Sequence, residues 1–195
     1  MADPPPSTGH PRPPPGTGEP ASEPDRYRYD PADPTPAAGG ISISHGGRVE
    51  DGALEARPDV LTYTTDVLEE DIEVVGEVSA EVWFRSSLAH ADVFVRLCDV
   101  DATGRSFNLC GGLVALTGAD QLSRATVTMW PTAHRFKRGH RIRVQVSSGA
   151  IPRFARNTGT DEPIAAATTL RAADQEVHHG PEHPSAVILS VRSPG

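Results

Sequence analysis

Serines, histidines and carboxylates are the groups in this sequence able to do chemistry, and their spacing argues against most of it. A serine hydrolase of the α/β type carries its nucleophile in G-x-S-x-G, at a strained strand-to-helix elbow that exposes Oγ. The nearest neighbourhood, Ser147-Ser148-Gly149, lacks the leading glycine and follows a strand-like run. These serines are expected to hydrogen-bond a loop at a strand edge. His179 and His183 have the spacing that places two metal ligands on one helical face. Gly180, Pro181 and Pro184 oppose a helix there, and Glu182 is the carboxylate at hand. No metal site is expected. His134 and His140 straddle the Phe136-Lys137-Arg138-Gly139 turn and read as polar ends of two strands. Glu69-Glu70-Asp71 reads as a solvated rim, since adjacent side chains diverge instead of converging on a cation. Asp92, Asp99 and Asp101 cluster around one hairpin, where aspartates cap turns. Trp83, Phe84 and Trp130 would suit a sugar-stacking platform, although aromatics at strand centres are more often core. No catalytic residue and no cofactor is assigned.

The elements that would position these groups are β. Strand-like segments run over Asp59–Thr65, Val78–Ser87, Asp92–Val100, Arg105–Leu116, Arg124–Trp130, His140–Ser148, Asp174–His179 and Ser185–Val191. Each is short, rich in β-branched or aromatic residues and bounded by Gly, Pro, Asp or Asn. Alternation is cleanest in His140–Ser148, where Ile142, Val144 and Val146 face one way and Arg141, Arg143 and Gln145 the other. Because Asp92–Val100 is apolar on both faces, a single open sheet would leave one face wet, and two packed layers are expected. The fold class is thus all-β, a jelly-roll-like, galactose-binding-like β-sandwich. Residues 1–25 form a Pro/Gly-rich tail too poor in apolar surface to offset its ordering entropy. Residues 26–58, with the DPADP run, read as an ordered connecting strap, and residues 59–192 as the sandwich.

The chain has 195 residues, room for one ordinary domain, and a formal net charge of −8. Such a surface repels polyanions, so nucleic acid is not an expected partner. No segment has the roughly 18 uninterrupted apolar residues of a spanning helix, and no signal-like layout opens the chain. A membrane role is not expected, and the cytoplasm is the expected compartment. Cys98 and Cys110 flank the turn-like Asp101-Ala102-Thr103-Gly104. A tight hairpin would set Cys98 beside Phe107 and Cys110 beside Val95, on opposite faces and out of disulfide reach.

Five segments in order resemble one family: YDPADPTPAAGG, EARPDVLTYTTDVLEEDIEVVGEVSAEVWFRSS, DVFVRLCDVDATGRSFNLCGG, WPTAHRFKRGHRIRVQVSSGAIPRFARNTGT and HHGPEHPSAVILSV. Together they are similar to the C-terminal domain of Xaa-Pro dipeptidyl-peptidases, cocaine esterase and related serine hydrolases. The resemblance implies a non-catalytic sandwich packed on an α/β-hydrolase domain that holds a Ser-His-Asp triad, none of which maps onto this sequence. By position it implies a domain interface at the loop Ile41–Leu54 and the turn Ile151–Asn157, with Ile41, Ile151, Arg153, Phe154 and Asn157 as candidate contacts. This sequence departs from the family in a shortened Gly111–Ser123 excursion and in Gly112, where relatives tend to carry aspartate. The chain alone is expected to be inactive, with a hydrolase domain or chain as partner, and to self-associate through the surface left uncovered. The other readings are a free-standing carbohydrate- or ligand-binding module and a truncated remnant.

Overall fold

Apolar residues at every second position draw two β layers together over one interior. The computed structural model describes residues 23–40, 46–163 and 165–192. Among these, the order is β1 (Asp25–Tyr29), α1 (Gly52–Glu55), β2 (Leu61–Thr64), β3 (Ile72–Ser86), β4 (His90–Val100), β5 (Ser106–Thr117), β6 (Ser123–Phe136), β7 (Arg141–Ser147), β8 (Ala173–His178) and β9 (Ala186–Val191). One antiparallel sheet has the order β1-β8-β3-β6, with β9 also on β3; the other runs β2-β7-β4-β5. The expected all-β sandwich is therefore what the sequence forms. No helix among the described residues is long and apolar enough to cross a membrane.

The interior is built from the inward faces of both sheets. β3 contributes Val74, Val78, Ala80, Val82 and Phe84, and β4 contributes Ala91, Val93, Val95 and Leu97. β5 passes so close to β6 that a Cβ on Gly112 would lie 2.1 Å from the Thr128 carbonyl oxygen. An aspartate at this position could not be housed in this packing; the glycine is what lets the two sheets touch along that edge.

Two strands run further than their sequence pattern suggests, for one reason. β3 and β6 continue through an irregularity between Gly76 and Val78, opposite Trp130 and Pro131. Proline cannot donate to a ladder and is tolerated where the ladder is broken, while Gly76 takes a φ of 126° that favours glycine. The expected end at Trp130 and the expected start at Val78 thus mark a bulge within a strand pair. A second irregularity falls between Leu97 and Cys98 of β4, so that Leu97 faces Cys110 and Cys98 faces Asn108. The expected partners, Phe107 and Val95, are each displaced. The faces hold nevertheless: Cys110 joins the inter-sheet core, Cys98 turns outward toward Asp51, and both thiols are free.

The strap is tied to the sandwich from its first residues. Tyr27 and Tyr29 point inward and are buried, while β1 pairs antiparallel with β8 as far as Tyr29↔Ala173. Beyond it, Thr35 donates to Asp59 at 2.7 Å and Arg57 grips both oxygens of the same carboxylate. Residues 1–22, including most of the Pro/Gly-rich tail, lie outside the described residues.

Candidate domain interface

The outer face of the four-stranded sheet carries polar side chains that the strap roofs over. α1 sits above β4 and β7, where Asp51 accepts from Arg96 at 3.0 Å, and both side chains are almost fully buried. Gln145 donates to Glu55 at 2.9 Å, and Arg143 pairs with the same carboxylate. Burial pushes the Asp51 carboxyl above the ordinary carboxylate value, with Arg96 pulling the other way. Beside this roof the turn after β7 closes the rest of the face. Asn157 donates to Asp92 at 2.8 Å, and burial raises the Asp92 carboxyl too, against that hydrogen bond. Tyr29 donates its hydroxyl to the Asn157 carbonyl.

The residues read from the sequence as interface contacts fall into two groups. Ile151 forms a parallel bridge with Pro36, with Ala37 N–H donating to its carbonyl at 2.7 Å. Phe154 packs against Phe94, their ring centroids 6.2 Å apart. Ile151, Phe154 and Asn157 therefore clamp strap and turn onto the sheet. Arg153 differs. It lines a cavity of about 400 Å³ that also contains Arg48, Asn108, Trp130 and His134. Its guanidinium donates to the Gly111 carbonyl at 2.9 Å and lies 5.0 Å from the Phe154 ring centroid. Among the described residues no carboxylate pairs with it, and burial and the nearby Arg96 lower its pKa. Ile41 lies outside the described residues.

Trp130 was legible as an aromatic but not as a surface one. Its neighbour Met129 faces the core, and the tryptophan is 58 % exposed. Trp83 is half-buried against His183, with ring centroids 4.7 Å apart, and pairs with Arg124. Trp130 instead sits at the bulge next to Met129, which pairs with Val78. The two indoles thus lie at separate places along the β3–β6 pair and do not share a platform. The histidines also found unforeseen company. Asp99, buried at the end of β4, accepts from or bonds to His140 Nδ1 at 2.8 Å and His134 Nε2 at 3.1 Å. The bulge at Leu97 and Cys98 lies next to this carboxylate. Asp101, by contrast, caps the following turn through Thr103 and Arg105 as expected, and these bonds hold its carboxyl well below the usual range.

None of these constellations makes a nucleophile. Ser148 Oγ shares a 2.8 Å hydrogen bond with Tyr27, and Ser147 donates to the Gly149 carbonyl at 3.2 Å. Ser185 accepts from Trp83 N–H at 2.9 Å and donates to the His178 carbonyl at 2.6 Å. Each hydroxyl is spent on main chain or tyrosine, and none hydrogen-bonds a histidine ring among the described residues. No group of three or more His, Cys, Asp or Glu side chains there is arranged to hold a metal ion. What the geometry offers instead is a braced face with an arginine and a tryptophan at its margin.

The family model for the X-Pro dipeptidyl-peptidase C-terminal non-catalytic domain matches residues 9–188. The chain belongs to this family. As a member of it, the chain is 38 % identical over 185 residues to a cocaine esterase of Rhodococcus sp. (strain MB1 Bresler), an alignment covering 86 % of this chain and 32 % of that protein. Among solved structures, an aminopeptidase from the marine sediment archaeon Thaumarchaeota archaeon matches with a TM-score of 0.79 and 26 % identity, over 91 % of this chain and 35 % of the other. An α-amino acid ester hydrolase matches with a TM-score of 0.79 and 25 % identity, over 92 % and 34 % of the two chains. This X-Pro dipeptidyl-peptidase C-terminal domain therefore spans about a third of the length of the proteins it matches.

Proposed function

We propose that this domain serves as the non-catalytic sandwich of a serine hydrolase, docking on an α/β-hydrolase domain that carries the triad. The observation that carries this reading is the family match over residues 9–188, in a chain spanning about a third of its relatives. Serine hydroxyls tied up in structural hydrogen bonds are consistent with a supporting role. The activity of the assembled protein would be ester or Xaa-Pro peptide hydrolysis, chosen by the partner domain's pocket.

The docking face is the margin built by Arg153, Arg48 and Trp130, next to the clamp formed by Ile151, Phe154 and Asn157. An exposed tryptophan beside an arginine has the composition of an interface centre. A guanidinium without a carboxylate partner among the described residues favours an acidic side chain on the hydrolase domain. Left uncovered, this margin would drive concentration-dependent self-association, measurable by sedimentation.

A chimaera tests the reading. Residues 23–192 replace the matched part of the Rhodococcus cocaine esterase, and hydrolysis of p-nitrophenyl butyrate is followed. The expected result is an active chimaera in which Trp130→Ser lowers the temperature at which activity is lost, while the same substitution leaves the isolated domain within about 0.5 kcal/mol of its original stability. An inactive but folded chimaera, or a Trp130→Ser effect equal in both contexts, would count against it.

A further inference from the structure

The two sheets meet along one edge and part along the other. Where β5 crosses β6, the Gly112 backbone leaves no room for a Cβ. At the opposite edge, β2 and β7 stand away from β9, and a cavity of about 400 Å³ opens between them. Its floor is made by Val82, Val95 and Val146, none more than 3 % exposed, and its walls by Val144, Val187 and Leu189. Close packing does not leave a space of this size between two sheets, and an apolar cleft open at its rim is the kind of site that accepts apolar guests.

The rim decides which guest. Tyr63 donates to Asp25 at 2.9 Å, and the same carboxylate oxygen lies 3.1 Å from His179 Nε2, so the groups at the mouth hold one another in place. Ser185 is committed to main chain, and the one carboxylate among the lining residues, Glu81, is engaged by Arg124 at 3.2 Å. Among the described residues no lysine or arginine lines the cavity. A ligand carboxylate would meet no lysine or arginine there, since the one imidazole at the mouth is already engaged by Asp25, and a ligand ammonium would meet no unpaired carboxylate. An uncharged head group meets the outer edge of β2, which pairs with β7 alone among the described strands and leaves main-chain donors and acceptors along its free side. We propose that this cavity is a binding site for one uncharged aliphatic molecule of medium length, its chain between the sheets and its hydroxyl at the β2 edge.

The inference does not depend on docking to a hydrolase domain, and the chain alone can test it. 1-Hexanol and, separately, hexanoate are titrated into methyl-labelled protein at neutral pH. Saturable shifts of the Val82, Val95, Val144 and Val146 methyl signals are expected for the alcohol, with at least tenfold weaker binding of hexanoate. Val146→Phe at the floor and Val187→Phe at the half-buried wall should each abolish the alcohol's effect. Shifts that rise linearly without saturating, equal binding of hexanoate, or hexanol binding retained in both phenylalanine variants would overturn the proposal. Should a variant fail to give a dispersed spectrum, the comparison of hexanol with hexanoate on the original sequence decides alone.

Discussion

Asp92 shows how this chain pays for a polar residue on a covered sheet face. Burial lifts its folded-state pKa above the ordinary carboxylate value, and the Asn157 amide only partly opposes that. Between the unfolded and folded values, the native chain holds a proton that the unfolded chain has released, so stability falls as pH rises through that interval. An amide at the same place keeps an acceptor for Asn157 and removes the titration. Asp92→Asn is therefore expected to gain on the original protein as pH rises from about 4 to neutrality. Urea midpoints at both ends of the range check this, and a difference that stays constant would contradict it. The sequence grouped Asp92, Asp99 and Asp101 around one hairpin, but their environments diverge. Asp101 caps a turn, a local event that residue type and spacing reveal. Asp92 and Asp99 take partners 65 and 35 or more residues away, which only the tertiary register brings near. Arg153 likewise owes its surroundings to the tertiary register: its hydrogen bond goes to the Gly111 carbonyl, 42 residues away, and among the described residues no carboxylate pairs with it.

At the scale of elements, α1 and its roof rest on a buried ion pair whose desolvation is expensive. Removing one member strands the other, at a cost of about 3–5 kcal/mol, whereas replacing both by apolar side chains is often close to neutral. Arg96→Met is thus expected to lower stability by about that amount, and Asp51→Leu in the same chain to recover most of it. Denaturant unfolding of the two singles and the double measures this; a double mutant as weak as the sum of the singles would contradict it. The strands themselves were readable because their alternation of apolar residues is local. Their ends were less so, since Gly76 and Pro131 look like terminators until the strands are aligned and a bulge absorbs both. β1 was readable in principle: in DRYRY, the arginines and tyrosines alternate with period two. Its place beside β8 was not, because no local signal specifies an edge partner more than 140 residues away. The four residues of α1 are too few to show a helical period.

For the molecule as a whole, the fold follows from the sequence pattern, and the family from an ordered set of segments that the comparisons bear out over residues 9–188. The role does not follow from pattern at all. An acidic sandwich could equally bind sugars, and it is the family match over residues 9–188, in a chain spanning about a third of its relatives, that turns the reading toward support of another domain. The most direct measurement is hydrolysis of p-nitrophenyl butyrate by the purified chain, with Ser148→Ala and Ser185→Ala variants as controls. A rate equal to that of buffer at every protein concentration is expected. Turnover proportional to protein concentration and abolished by either substitution would place a nucleophile in this domain and contradict the account.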